Sequence, residues 1–141
     1  MSAVDIARLF LHVREAGANR GLRVEAIQHY SGGQPGDSWC AEFVWLVLDL
    51  AYAGNAPVDR FQSCEVLHAL AVQNGWITNN PEPGDLFLYI NGQGLAHHVG
   101  ICTQSFPLVG IAGNTSEDGT SANGDRVAEH AISANTFVRF P

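Results

Sequence analysis

The hydrophobic pattern of this chain changes period near residue 80. In the first stretch, Val4, Ile6, Ala7, Phe10, Leu11 and Val13 fall largely on one helical face, which predicts a helix over 4–16. Asn19-Arg20-Gly21 punctuates it, and Leu22 to Tyr30 reads as a shorter helix with Val24 and Ile27 inward. Ser31 to Ser38 holds three glycines and a proline, the composition of a loop. Ser38 is placed to cap the next helix, with Glu42 near its first turn. Trp39 to Ala53 is apolar nearly all round, so that helix is expected to be central and buried. Gln62 to Gly75 forms a further helix closed by Gly75.

Beyond residue 80 the apolar runs become short. Pro81-Glu82-Pro83-Gly84-Asp85 is a turn, where Asp85 has turn hydrogen bonding as its expected role. Leu86 to Ile90, His97 to Thr103 and Leu108 to Ala112 read as strands, the first two joined through Asn91-Gly92-Gln93-Gly94. Thr115 to Gly124 is polar and loop-like, and Arg126 to Ile132 and Thr136 to Phe140 add two more strands. Helices followed by an antiparallel meander of about five strands define an α+β fold. The 141 residues form one domain, with 46% hydrophobic content and few charges, as suits a packed core.

The candidate chemistry lies where the polar loop turns into the most apolar helix, at Asp37-Ser38-Trp39-Cys40-Ala41-Glu42. A thiol at a helix N-terminus feels the positive end of the helix dipole, which favours thiolate. Downstream come His97-His98 and then Gly113-Asn114. Cysteine, then histidine, then an amide or carboxyl residue is the order of a papain-like nucleophilic site. Strand alternation puts His98 with Gly100 and Cys102 and His97 with Val99 and Ile101, so only one of the paired histidines can face Cys40. The Asn114 amide is positioned to hold the imidazole in one tautomer. Gly100 and Gly113 leave room for close approach of a substrate. The oxyanion donors are the Cys40 N–H and a group from the loop Gln34 to Ser38, with Gln34, Asp37 and Ser38 as candidates. Trp39 and His97 are candidates for the groove wall. Cys64 and Cys102 read as core residues, and Glu117 and Asp118 as solvated loop residues or an acidic rim near Asn114.

Charge and cysteine count narrow the partners. A net charge of −7 argues against nucleic acid and gives no electrostatic help on an anionic wall or membrane. Three cysteines do not make a disulfide framework. The N-terminus lacks the basic start and apolar run of a signal peptide, and no stretch approaches the ~20 apolar residues of a membrane span. Synthesis in the cytoplasm is expected, with release by lysis or dedicated export.

Four strings in order resemble the CHAP amidase/peptidase family of the NlpC/P60 group. They are Trp39-Cys40-Ala41-Glu42-Phe43-Val44, Pro83-Gly84-Asp85-Leu86-Phe87, His98-Val99-Gly100-Ile101 and Gly113-Asn114-Thr115. Asn19-Arg20-Gly21 and Ser63-Cys64 extend the likeness over nearly the whole chain. The resemblance implies a papain-like fold and a cofactor-free cysteine hydrolase. Its triad maps onto Cys40, His98 rather than His97, and Asn114. It implies cleavage of peptidoglycan amides, in the stem peptide, in the cross-bridge or between muramic acid and L-alanine. An effector of this kind would also have a delivery or immunity partner. Two other readings stand beside it. One is a zinc site drawn from Cys64, His68, His97, His98 and Cys102; the other is a binding module that uses the groove without catalysis.

Overall fold

The computed structural model describes residues 1–115 and 124–141. Four helices precede the main strands: α1 (Ala3–Arg8), α2 (Leu22–Tyr30), α3 (Cys40–Ala51) and α4 (Cys64–Asn74). Six strands follow: β1 (Ile77–Thr78), β2 (Leu86–Ile90), β3 (Ala96–Ser105), β4 (Leu108–Thr115), β5 (Arg126–Ala131) and β6 (Thr136–Val138). They form one antiparallel sheet in the order β1-β6-β2-β3-β4-β5. The α+β class is as the hydrophobic pattern implies. The sheet is not a simple meander, because β6 returns across β2 to insert between it and the short β1.

The expected helix over 4–16 is only six residues long. Ser2 caps it with a reciprocal Ser2–Asp5 box, and it ends at Leu9. The following residues exchange helical bonds for tertiary ones: the Glu15 N–H donates to Asp125 and the Val127 N–H donates to Val13. That swap accounts for the early stop, since the amphipathic pattern continues but the backbone is already paired with β5.

Every residue of α3 from Cys40 to Asp49 is buried. The helix packs on β3 and β4 and also on α1 and α2, which is why its sequence is apolar on all sides. Alternation splits each strand between two clusters. Leu86, Leu88, Val99, Ile101, Ile111 and Val138 join the helices in the main core. Phe87, Cys102, Ala112 and Phe137 gather with Ile132 in a smaller cluster on the other face. Asp85 accepts the Glu82 N–H at 2.7 Å and a two-pronged contact from Arg139 at 3.0 and 2.7 Å, tying the entry of β2 to the exit of β6. Among the described residues no helix is long and apolar enough to cross a membrane.

Candidate active site

Cys40 is the first residue of α3 and is 4% exposed. Cys64 is the first residue of α4, capped by the Ser63 hydroxyl, and it comes from 24 residues downstream. Their sulfurs lie 3.6 Å apart. The Cys40 thiol is held well below the ordinary thiol range. The contact with Cys64 is the largest cause, opposed by burial; the His98 side chain and its charge follow, and then the Val99 N–H. Cys64 moves the other way, pushed up first by that same contact and then by burial. The contact therefore favours the thiolate form of Cys40 and the protonated form of Cys64.

The Val99 contact shows how α3 meets the sheet. It brings the start of α3 beside β3, against which that helix packs. The β3–β4 ladder has Ile101–Ile111 as its pair nearest this point. His98 lies on the Phe87 face of β3, and its side chain and charge favour the Cys40 thiolate. It is 1% exposed. Neither ring nitrogen closes a well-aligned hydrogen bond among the described residues, although the ring acts on Cys40.

Aromatic packing positions the imidazole. Tyr89 pairs with His98 across β2 and β3, and its ring stacks on the imidazole at 5.8 Å and 17°. Phe87 meets it edge-on at 6.3 Å. The Tyr89 hydroxyl accepts the Ser133 N–H, which fixes the stacking ring. Sequence reading missed Tyr89; its signal is the cross-strand register, which needs the bulge between Tyr89 and Ile90 to be known. His97 falls in that bulge, is exposed, and stacks on Tyr89 at 6.1 Å and 28°. It therefore stands near His98 on the surface, where a groove wall would lie.

Asn114 is not brought to His98. Its left-handed backbone (φ 51°) turns the amide toward the loop ahead of Cys40. The orientation that satisfies every neighbour has Nδ2 donating to Glu15 at 3.3 Å and to the Gly124 carbonyl at 3.0 Å, while Oδ1 accepts from the Ser38 hydroxyl at 2.9 Å. Asn114 thus acts on the site by holding the loop. Ser38 does not cap α3, whose N-cap is Trp39, because its hydroxyl is engaged by Asn114. Asn114→Ala is expected to lower stability by about 1–3 kcal/mol, since it removes the hydrogen bonds to Glu15, Ser38 and Gly124 and keeps a side chain at positive φ. Urea unfolding checks this, and Asn114→Gly, which relieves the backbone alone, should lose less. Glu117 and Asp118, the alternative third members, lie outside the described residues.

Other expected site features belong to the core. Trp39 is fully buried and its indole N–H donates to Glu15 at 2.7 Å, so it offers no groove wall. A Cβ on Gly113 would sit 2.8 Å from the Trp39 ring and 2.9 Å from Phe43, and one on Gly100 would strike Phe87 and the Ile111 carbonyl. Both glycines make room for aromatic packing, not for substrate. In the loop, the Gln34 N–H donates to the Asp37 carboxylate at 2.8 Å and the Asp37 N–H to the Gln34 carbonyl at 3.1 Å. These backbone groups are committed, and the exposed Gln34 side chain stands as the loop's remaining donor.

Beneath that loop lies a group the sequence reading took only as a first-turn acid. Glu42 is fully buried, and neither carboxyl oxygen meets a donor among the described residues. Burial first, then the charge and contact of Asp37, push it up to about 8. A Cβ on Gly33 would overlap the Glu42 carboxyl, so that glycine is what lets the acid pair pack. The Asp37 carboxylate beside it favours the protonated, neutral form of Glu42. The same carboxyl releases its proton near 4.5 when unperturbed. The folded chain therefore binds the extra proton between about 4.5 and about 8. The stability it contributes is complete below that window, falls as pH rises through it and is gone above it. Glu42→Gln keeps a neutral side chain and should flatten this decline, read as urea midpoints at about pH 5 and about pH 9.

Cys102 is fully buried in the second cluster, and its thiol is pushed up to about 12 by burial and then by the Asp85 charge. It is an inert core thiol. Among the described residues no group of three or more His, Cys, Asp or Glu side chains is arranged to hold a metal ion, which leaves the zinc reading without a ligand set. Comparison with protein-family models, curated proteins and solved structures finds no match.

Proposed function

We propose that this chain is a cysteine-dependent amide hydrolase with a papain-like arrangement of the NlpC/P60 type, acting on peptidoglycan. The observation that carries the reading is the Cys40–His98 pairing. A buried, thiolate-favouring cysteine opens the central helix, and a buried imidazole from β3 acts on it. The choice of peptidoglycan rests on the four sequence strings that resemble the CHAP family.

In this mechanism the Cys40 thiolate attacks the amide carbonyl. The oxyanion that forms is met by the Cys40 N–H at the start of α3 and by a donor from the loop, where the helix dipole adds favourable potential. His98 hands a proton to the departing amine, leaving an acyl-enzyme. It then draws a proton from water, which releases the acid and restores the thiolate. Tyr89 keeps the ring in place through both transfers. Asn114 and Ser38 hold the loop against α3.

Digestion of purified peptidoglycan, followed by mass spectrometry of the fragments, tests substrate and bond together. New amine and carboxyl ends at one type of amide are expected, and none with the Cys40→Ala protein. Intact peptidoglycan after treatment with the folded wild-type protein would overturn the substrate.

A further inference from the structure

We propose that Cys40 and Cys64 form a reversible disulfide on exposure to a hydroperoxide, making the pair a built-in oxidation site. The geometry is the argument. Two thiols from separate helices, far apart in sequence, are placed 3.6 Å apart by tertiary packing. Each is the first residue of its helix, so both sulfurs lie where a helix N-terminus stabilises negative charge. The sulfurs need only close to about 2.05 Å to bond. The two thiols are also shifted in opposite directions, Cys40 toward thiolate and Cys64 toward thiol, the division of labour that thiol oxidation followed by resolution uses. The third cysteine, Cys102, belongs to the cluster on the opposite face of the sheet and takes no part.

The chemistry balances with the peroxide as sole oxidant. The Cys40 thiolate attacks one peroxide oxygen and the O–O bond breaks, giving Cys40 sulfenic acid and hydroxide. The Cys64 sulfur then attacks the sulfenic sulfur. The S–O bond breaks, the hydroxyl leaves as water with the Cys64 proton, and the disulfide forms. The two sulfurs together lose two electrons and the peroxide gains two. A dithiol reverses the bond by exchange. Formation of the bond stands independently of the hydrolase reading; its consequence, a nucleophile sequestered and protected from irreversible oxidation, rests on that reading.

The test treats the full chain with hydrogen peroxide and reads intact mass, alkylatable thiols and a peptide map. The wild type should lose about 2 Da, retain only Cys102 for alkylation, and recover both thiols with dithiothreitol. Cys102→Ser should behave in the same way. Cys64→Ser, its fold checked by circular dichroism, should instead gain two or three oxygens on Cys40, as sulfinic or sulfonic acid, and resist dithiothreitol. Identical products from wild type and Cys64→Ser would overturn the proposal. So would a disulfide through Cys102, or a covalent dimer through Cys40. A disulfide that forms in a protein whose reduced state cleaves no peptidoglycan would overturn the hydrolase reading and leave this one standing.

Discussion

Cys40→Ala is expected to abolish hydrolysis, by at least about 10,000-fold, while the protein remains folded. The thiolate supplies the covalent bond to the acyl group, and no neighbouring atom replaces it. Cys64 is close, but the same contact pushes its thiol up, which disfavours it as a nucleophile. The side chain lost is small, and its site at the start of α3 accepts a methyl group with modest cost in packing. Single-turnover assays with the wild type should reveal an acyl-enzyme on Cys40, and iodoacetamide should modify Cys40 at lower pH than Cys102, whose thiol sits near 12. Near wild-type turnover in the alanine variant would end the thiol mechanism.

His98→Ala should cost about 100- to 10,000-fold in kcat, the range for loss of a positioned acid–base group. His97→Ala should change kcat little and show its effect, if any, in KM. The two differ because the bulge at Tyr89–Ile90 leaves His97 exposed and sends His98 inward, stacked on Tyr89 and acting on Cys40. Tyr89→Phe keeps the stacking ring and loses only the hydroxyl bond to Ser133, so it should retain most activity. A kinetic comparison in which His97 proves essential and His98 dispensable would reverse the assignment.

Much of the framework is legible in the chain because it is local. An all-round apolar run can only be a buried central helix, and Gly75 can close α4 because it adopts a left-handed φ of 72°. Asn91-Gly92-Gln93-Gly94 makes the hairpin because the Asn91 side chain accepts the N–H groups of Gln93 and Leu95. The position of Cys40 at a helix start follows from the polar loop giving way to the apolar run, whereas alternation says only that His97 and His98 face opposite ways, and the preference for His98 comes from the family resemblance.

What escaped the sequence was decided by partners distant along it. The first helix stops at Arg8 because residues 13–15 find backbone partners beside β5. Trp39 and Gly113 read as groove features but interlock as core, since only packing reveals that a ring fills the space the glycine leaves. Asn114 occupies its expected place in the order of the chain, yet a single positive φ turns its amide from the imidazole toward Glu15 and Ser38. The pairing of Cys40 with Cys64, the burial of Glu42 against Asp37 and the stacking of Tyr89 on His98 all depend on which elements pack together. The sequence by itself determined most element types and the α+β class, because short-range periodicity and turn residues encode them. Only the tertiary structure decided which side chains meet, because contact across helices and strands depends on register and packing that no local pattern records.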